Sequence, residues 1–279
     1  MKTPLLSSNQ TIAVAYLARG ADKDSLSSFE RFLSSYKRNS SGVEHSLYVI
    51  FKGFENEVDL EKAKGLFSSV PYTPAFLADD SFDIGAYIEW ARMVQEDLIC
   101  VFNTGSEILA PDWLRKLAAN LAMPNVGLVG ATASYESLRN YNSAFQAFPN
   151  IHIRSTAFMI DRDLFCNITK DLRIATKLDA FHFESGPKSI TRQVLAQGKN
   201  TLLIGRNGRG YSPPFWPESD TFRQGMQKNL LVSDNQTRNY LAMPWKEKRE
   251  FVIRTWGEYL SWKALQPIEC IWSKEGRVI

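Results

Sequence analysis

Short apolar runs alternate with amphipathic segments along the first half of the chain. The runs predict five strands, at residues 11–20, 45–54, 72–80, 97–103 and 126–131. The segments between them repeat apolar side chains every three or four residues, which predicts helices at 22–38, 59–70, 82–95 and 111–122. This alternation favours an α/β fold with a mostly parallel central sheet and helices on both of its faces.

The pattern of the second half is less regular. It predicts a strand and a short helix over 151–165, a helix over 186–198, a strand and a turn over 200–211, and a closing helix over 244–262. We expect the helix over 186–198 to bury Leu195, and the first helix of the chain to bury Leu26. The prolines within residues 212–222 predict irregular structure there.

A chain of 279 residues can bury the core of one large α/β domain. We find no internal repeat, low-complexity tract or clear linker. The expected organisation is therefore a single Rossmann-like domain. Residues 1–210 are predicted to form its ligand-binding part, and residues 211–279 a lid loop and a helical extension packed on the same domain.

The composition excludes several classes of protein. The net charge of +3 comes without a cluster of Lys and Arg, so we expect no nucleic-acid partner. No apolar run approaches the ~20 residues of a transmembrane helix, and the first ten residues lack the apolar stretch of a secretory signal. Cys100, Cys166 and Cys270 are widely spaced, which is typical of free thiols in a reducing compartment. We therefore expect a cytoplasmic protein.

Polar residues that follow the predicted strands are the first candidates for a ligand site. In parallel sheets, ligands bind beyond the carboxyl ends of the strands. Arg19 and Lys52 follow the first two strands, and the turn from Asn103 to Glu107 follows the apolar strand at 97–103. Asp80 and Asp83 precede or begin a helix, where a carboxylate also acts as a cap.

Four stretches, in this order, resemble a glycosyltransferase of the GT-A type, similar to the family-two enzymes and to rhamnan-synthesis proteins. They are "IAVAYLARG", "FDIGAYIEWA", "LICVFNTGSEILAPDWL" and "FESGPKSITRQVLAQGKNTLLI", and together they extend over residues 11–210. The resemblance implies transfer of a sugar from a nucleotide-diphosphate sugar to a glycan or lipid-linked saccharide, as in polysaccharide biosynthesis.

The resemblance also implies roles for individual residues. Glu184 corresponds to the general base of an inverting transfer, and Asp179 is the reserve candidate. The donor would be bound by residues after the strands and along the helix that follows "FES", namely Ala18, Arg19, Lys52, Asp80, Asp83, Gly85, Asn103, Thr104, Gly105, Lys188 and Arg192. The family often has a second acid where this chain has Ser185.

The turn at Asn103 departs from the family pattern, which has two metal-binding aspartates there. Asn103 and Thr104 or Gly105 occupy those positions, and Glu107 is the nearest carboxylate. A divalent cation, Mg²⁺ or Mn²⁺, would have Glu107 as its one acidic ligand in the turn. The alternatives are a metal-free site and an ordinary strand-to-helix turn.

Two other functions fit the same residues. The degraded metal motif is compatible with a binding protein that kept the fold and lost catalysis, and a sugar nucleotidyltransferase is the second alternative. Related enzymes act on lipid-linked glycans, so peripheral contact with the inner face of a membrane, or self-association through the Trp-rich closing helix, also stays open.

Overall fold

The first strand lies inside the sheet, and its side chains alternate between two hydrophobic layers. The structure is a computed structural model that describes residues 10–260. Odd-numbered residues from Ala13 to Leu17 pack in one layer, and even-numbered residues from Ile12 to Ala18 pack in the other. This alternation follows from the two-residue period of a strand, so a strand buried on both faces must be apolar throughout.

The strands are, in chain order, β1 Ile12–Arg19, β2 Ser46–Lys52, β3 Thr73–Phe76, β4 Leu98–Phe102, β5 Glu107–Ile108, β6 Val126–Gly130, β7 Ala133–Ser134, β8 His152–Ile153, β9 Ala157–Asp161, β10 Asn200–Ile204, β11 Gly210–Tyr211 and β12 Val232–Ser233. The helices are α1 Ser25–Arg38, α2 Glu57–Phe67, α3 Phe82–Met93, α4 Trp113–Leu121, α5 Arg162–Ile168, α6 Lys177–Ser185, α7 Ile190–Ala196, α8 Asn235–Ala242 and α9 Trp245–Trp256, with 3₁₀ turns at Pro213–Glu218 and Gly257–Tyr259.

Eight strands form the central sheet in the order β11-β10-β6-β9-β4-β1-β2-β3. Only β9 and β11 run against the other strands of this sheet: β9 is antiparallel to both β4 and β6, and β11 is antiparallel to β10. Helices cover both faces, with α1, α2 and α4 on one side and α3, α5, α6 and α7 on the other. The predicted mostly parallel α/β fold is confirmed.

Two small ladders connect distant parts of the chain. β7 pairs with β8, and β5 pairs with β12 through Ile108 and Val232. The second ladder attaches the segment after residue 211 to the turn that follows β4. Trp216 and Trp256 are fully buried in the same core as β1, so the 3₁₀ turn and α9 pack on the sheet domain. The division of the chain at residue 210 stays a prediction.

Several local predictions need correction. Residues 213–218 form a 3₁₀ helix, because proline accepts the required φ at the start of a short helix. The helix predicted from residue 186 begins at Ile190, after the N-cap Ser189. Leu26 and Leu195 are each 38% exposed and do not face the core. The closing helix ends at Trp256 before Gly257, which has a φ of 57°. Its predicted end, residues 261–262, and Cys270 lie outside the described residues.

Six elements of the described residues were not predicted: β5, β7, β11, β12, α6 and α8. The four strands have two residues each, which is too short for an alternating pattern to appear. Helix α6 begins with a capping box between Thr176 and Asp179, a local signal that its weakly amphipathic sequence obscures. Within residues 10–260, no helix combines the length and the apolar character needed to cross a membrane.

Tyr16 connects the core to the turn after β4, and removal of its hydroxyl group tests that connection. Its buried hydroxyl donates to the carbonyl oxygen of Thr104 at 2.7 Å, and its ring stacks on Phe32 with centroids 3.8 Å apart. Tyr16→Phe keeps the stack and leaves the carbonyl without its donor. We expect a loss of about 1–2 kcal/mol in the free energy of unfolding, measured by urea denaturation.

Tyr48→Phe is the matched control, because the Tyr48 hydroxyl bonds to Glu96 at a partly exposed position. The control should lose less stability than Tyr16→Phe. Equal losses in the two variants would contradict the importance of the buried bond.

Candidate functional site

The carboxyl ends of β1, β2 and β4 form one edge of the sheet, and the start of β9 lies at the same edge. β9 runs in the opposite direction, so its first residue, Ala157, pairs with Phe102, the last residue of β4. The backbone N–H of Asn103 donates to the carbonyl oxygen of Thr156 at 3.0 Å. Residues 154–156 therefore belong to the candidate site, although the sequence analysis did not select them.

Arg19 and Lys52 both bind Asp79 at this edge. Arg19 donates through Nε and Nη2 to the two carboxylate oxygens of Asp79, at 2.8 and 2.7 Å, and through Nη1 to Asp22 at 2.7 Å. The Lys52 side chain has no exposed surface, and its Nζ lies 3.2 Å from Asp79 and donates to the carbonyl oxygen of Phe82. The two cations are thus balanced by two carboxylates, and they fix the segment between β3 and α3.

Asp83 lies next to this network, and the pKa of its carboxyl differs from the ordinary value. Its pKa is raised to about 6, first because the carboxyl is largely removed from water and second because of the nearby Asp22. Lys52 and Arg19 act in the opposite direction and do not compensate fully. Within residues 10–260 the carboxyl of Asp83 has no hydrogen-bond partner. Ala18 is completely buried under the same edge.

Asp80, which precedes α3, and Gly85, which is in α3, line a cleft of about 330 Å³ to which Asp83 does not contribute. Ser81, Gly85, Ile88 and Arg92 face this cleft with helical spacing, and the segment 172–175 forms its other wall. A Cβ atom on Gly85 would lie 2.3 Å from the Cβ of Ser81, so the neighbouring side chain already explains the glycine. The structure therefore separates Asp80 and Gly85 from Asp83.

The turn after β4 is held by hydrogen bonds from three directions. Ser106 donates through its hydroxyl to Oδ1 of Asn103 at 2.9 Å, and Thr104 receives the Tyr16 hydroxyl described above. The carbonyl oxygen of Gly105 accepts from Nη2 of Arg238 at 3.0 Å. The side chain of Thr104 is buried, and its Oγ1 has no partner in the described part of the chain.

Two arginines that the sequence analysis did not select, Arg38 and Arg238, lie beside this turn, and a third, Arg31, is close enough to Arg238 for their charges to interact. Glu107 lies 3.8 Å from both Arg38 and Arg238. The pKa of Arg238 is lowered, first by burial and second by the like charge of Arg31. Arg31 is partly buried on α1 and has no ion pair or hydrogen bond within residues 10–260. Asp234 and Glu107 act on Arg238 in the opposite direction and do not compensate fully, and Asp234 is itself paired with Arg154. The surroundings of the turn therefore carry an excess of positive charge.

These residues do not fit a divalent cation. A hard cation needs several oxygen ligands, preferably carboxylates. Glu107 is the one carboxylate of the turn, and the guanidinium groups of Arg38 and Arg238 would repel a second positive charge beside it. In the described range no cluster of three or more His, Cys, Asp or Glu side chains could hold a metal ion.

Glu184 lies in the last turn of α6, close to the edge formed by β4 and β9. Its Oε2 accepts a hydrogen bond from the Ser155 hydroxyl at 2.7 Å. Ser155 precedes Thr156, the partner of Asn103, so Glu184 and the turn are connected through two adjacent residues. Asp179 is used differently: its carboxylate accepts from the backbone and hydroxyl of Thr176 and caps α6.

The two cations predicted after Glu184 differ in position. Lys188 is exposed and precedes α7, so it does not share a helical face with Arg192 as the sequence analysis assumed. Arg192 is in α7 and donates through Nη2 to Oδ1 of Asn150 at 3.1 Å. This contact points Arg192 towards the interior between β8 and α6.

Comparison with known proteins gives only distant likenesses. No family model matches the chain, and no curated protein matches it. Among solved structures, a 4-diphosphocytidyl-2C-methyl-D-erythritol synthase from Anaerococcus prevotii is 12% identical, with a TM-score of 0.46, over 72% of this chain and 88% of that one. A mannosyltransferase from Pyrobaculum calidifontis, determined with GDP-Man and Mn²⁺, is 12% identical, with a TM-score of 0.47, over 70% of this chain.

The match spans 55% of that mannosyltransferase, about half of its length. A glucosyl-3-phosphoglycerate synthase from Mycobacterium tuberculosis, in complex with Mn²⁺, UDP and phosphoglyceric acid, is 13% identical, with a TM-score of 0.38, over 56% of this chain and 57% of that one. At these identities and TM-scores, the likenesses assign no activity or ligand to the chain.

The raised pKa of Asp83 predicts a specific dependence of stability on pH. The folded-state pKa, about 6, lies above the ordinary value of 3.8. The folded protein therefore binds more protons than the unfolded chain between these values, and stability falls as the pH rises through this interval. Asp83→Asn should raise the free energy of unfolding at pH 7.5 by about 1–3 kcal/mol, and the gain should shrink near pH 4.

The measurement is urea denaturation of both proteins across this pH range. Asp80→Asn is the control, because Asp80 is exposed and should give no comparable gain. A gain that is the same at both pH values would contradict the shifted titration.

Proposed function

We propose that this chain is a glycosyltransferase that uses a nucleotide-diphosphate sugar, with Glu184 as the general base and without a carboxylate-bound metal. One observation carries the proposal. The arginine-lined turn at Asn103 and the carboxylate of Glu184 are attached to the same sheet edge through the adjacent residues Ser155 and Thr156. Such a transfer needs both a site for a departing diphosphate and a proton acceptor within reach of it.

The donor side of the proposal rests on uncompensated positive charge. Arg31 and Arg238 repel each other, and Asp234 and Glu107, the latter 3.8 Å from Arg238, do not compensate fully for this repulsion and for burial. An anion between them would remove that repulsion, and a guanidinium group can form two parallel hydrogen bonds to phosphate. Arg19 and Lys52 are less suitable for this role, because Asp79 already neutralises them. We assign them instead to shaping the site around Asp83, which would contact the base or ribose.

The acceptor side of the proposal rests on the exposure and hydrogen bonding of the Glu184 carboxylate. Its carboxylate is partly exposed and receives one hydroxyl hydrogen bond, from Ser155. In the proposed step, the acceptor oxygen bonds to the anomeric carbon, and the bond from that carbon to the diphosphate oxygen breaks. The hydroxyl proton moves to Glu184, and the diphosphate leaves with its electron pair towards Arg31 and Arg238. The acceptor class follows the resemblance: a glycan or a lipid-linked saccharide.

A binding protein without catalysis is the second candidate, and the position of Asp179 favours it. Asp179 is engaged in the cap of α6 and offers no reserve base beside Glu184. The two candidates differ in one measurable property, which is turnover of a bound donor. A sugar nucleotidyltransferase would instead release pyrophosphate from a nucleoside triphosphate and a sugar phosphate.

The proposed arginine site predicts metal-independent binding of nucleoside diphosphates. In the presence of EDTA, UDP or GDP should bind to the protein, and Arg31→Gln and Arg238→Gln should each weaken binding about tenfold through loss of a charge-assisted hydrogen bond. The measurement is calorimetric titration, with thermal denaturation as a check on folding. Arg249→Gln, an exposed position on α9, is the matched control.

Unchanged affinity in both site variants would contradict the arginine site. Binding that appears only when Mn²⁺ is added would show that a cation is required, against the proposal.

The proposed base predicts slow hydrolysis of the donor when water replaces the acceptor. Wild-type protein incubated with UDP-, GDP-, CDP- and dTDP-sugars should release the nucleoside diphosphate from at least one of them. Glu184→Gln should lower the rate by about 10²–10⁴ while the affinity for the nucleotide stays the same. Release is followed by chromatography of the nucleotide.

Asp179→Asn is the control and should retain hydrolysis, because its carboxylate serves the cap of α6. Nucleotide binding with no hydrolysis, and no transfer to any glycoside tested, would favour the binding protein. Pyrophosphate release from a nucleoside triphosphate would favour the nucleotidyltransferase.

A further inference from the structure

Asn150 is completely buried, and its hydrogen bonds connect three parts of the chain next to Glu184. Its Nδ2 donates to the carbonyl oxygen of Ser185 at 2.7 Å, and its Oδ1 accepts from Arg192 at 3.1 Å. Its own carbonyl oxygen lies 2.7 Å from Nδ1 of His152. Because Ser185 follows Glu184, Asn150 holds the end of α6, the middle of α7 and the ring of His152 in one arrangement.

The bond to Asn150 determines which nitrogen of His152 carries the proton. A carbonyl oxygen can only accept a hydrogen bond, so Nδ1 must be the donor. In the neutral ring, Nε2 then retains its lone pair and is an acceptor. His152 is 5% exposed, and its Nε2 makes no hydrogen bond with residues 10–260.

The surroundings of His152 favour the neutral ring. Burial lowers its pKa most strongly, and Arg154 acts in the same direction. Glu184 and Glu136 act in the opposite direction and do not compensate for burial. Arg154 is occupied elsewhere: it pairs with Asp234 at 3.2 Å, and its guanidinium lies 4.0 Å from the centre of the Phe222 ring.

Glu184 and His152 are neighbours, because Asn150 bonds both to the carbonyl oxygen of Ser185, which follows Glu184, and to the ring of His152. The carboxylate and Nε2 give this corner two hydrogen-bond acceptors. The carboxylate takes one bond, from Ser155, and no direct bond joins it to the imidazole in the described residues. A molecule between two acceptors must supply donors, and a saccharide hydroxyl does so, whereas a phosphate does not. This property separates the corner from the arginine-lined turn at Asn103.

We propose that His152 is a further substrate-contacting residue of the acceptor site, with Nε2 accepting a hydrogen bond from a hydroxyl group of the acceptor saccharide beside Glu184. Asn150 is the positioning residue that fixes the ring. The inference rests on the proposed glycosyl transfer and names the part of the site that binds the polyhydroxyl acceptor. Glu184 takes the proton of the attacking hydroxyl, and His152 accepts a hydrogen bond from a neighbouring hydroxyl of the same saccharide and so orients it.

The first test needs no substrate. Long-range ¹H–¹⁵N correlation spectra of the wild-type protein report which ring nitrogen carries the proton, and His45→Gln and His182→Gln assign the three histidines of the chain. We expect the Nδ1-protonated tautomer for His152 at neutral pH, and a further decrease of its pKa in Glu184→Gln. The Nε2-protonated tautomer, or a cationic ring at pH 7, would overturn the proposal.

The second test separates contact with the substrate from support of the fold. His152→Asn keeps a donor near the position of Nδ1 and removes Nε2, whereas His152→Gln offers a polar group near the position of Nε2. With the donor that wild-type protein hydrolyses, and with methyl glycosides as acceptor probes, His152→Asn should lower turnover about tenfold, as loss of one hydrogen bond predicts. His152→Gln should retain more activity, and both variants should bind UDP or GDP as wild-type protein does.

The two hypotheses fail in different ways. If wild-type protein turns over no donor, the proposed function fails, and this inference fails with it. If wild-type protein turns over a donor and His152→Asn is equally active, only the role of His152 is wrong. If the His152 variants do not fold, the tautomer of His152 in the wild-type protein decides whether the proposal stands.

Discussion

The reversed direction of β9 is the constraint on which the candidate site depends. An antiparallel strand between β4 and β6 begins where its neighbours end, so the segment before it reaches the carboxyl edge of the sheet. That segment supplies Ser155 to Glu184 and Thr156 to Asn103. A parallel strand in this position would begin at the opposite edge and leave the acid and the turn without a common support.

The site divides into two chemical environments along this edge. The turn at Asn103 is rich in hydrogen-bond donors, since Arg38 and Arg238 lie beside it and Arg31 lies near Arg238. The corner of Glu184 and His152 is rich in acceptors. A sugar nucleotide and a saccharide differ in the same way, because one carries phosphate oxygens and the other carries hydroxyl groups. In the proposed transfer, the first surface would bind the sugar nucleotide and the second the saccharide.

The fold was largely predictable, because long buried strands and amphipathic helices leave a periodic pattern. β4 is an example: its five residues are all buried, and the sequence there is apolar throughout. The direction of β9 was not predictable, since an apolar run has no orientation. The turn after β4 and Glu184 were selected as candidates from motif order, whereas the partners of Arg19 and Lys52 could not be selected in this way. No local pattern indicates that Asp79 lies between two cations.

The arginines and His152 were missed for a related reason. Arg31 is on α1 and Arg238 is on α8, so more than two hundred residues separate groups that meet only after folding. His152 lies outside the motifs that the sequence analysis selected, and no local pattern indicates a single ring beside a carboxylate. Its tautomer depends on a backbone carbonyl, which no sequence pattern records.

The short ladder between β5 and β12 limits how the protein can be divided. Val232 pairs with Ile108, and Arg238 binds the carbonyl oxygen of Gly105. A fragment that ends near residue 210 would lack β12 and α8 and so lose one side of the turn at Asn103. Chimeras that exchange carboxyl-terminal segments between related proteins would therefore exchange part of the proposed donor site as well.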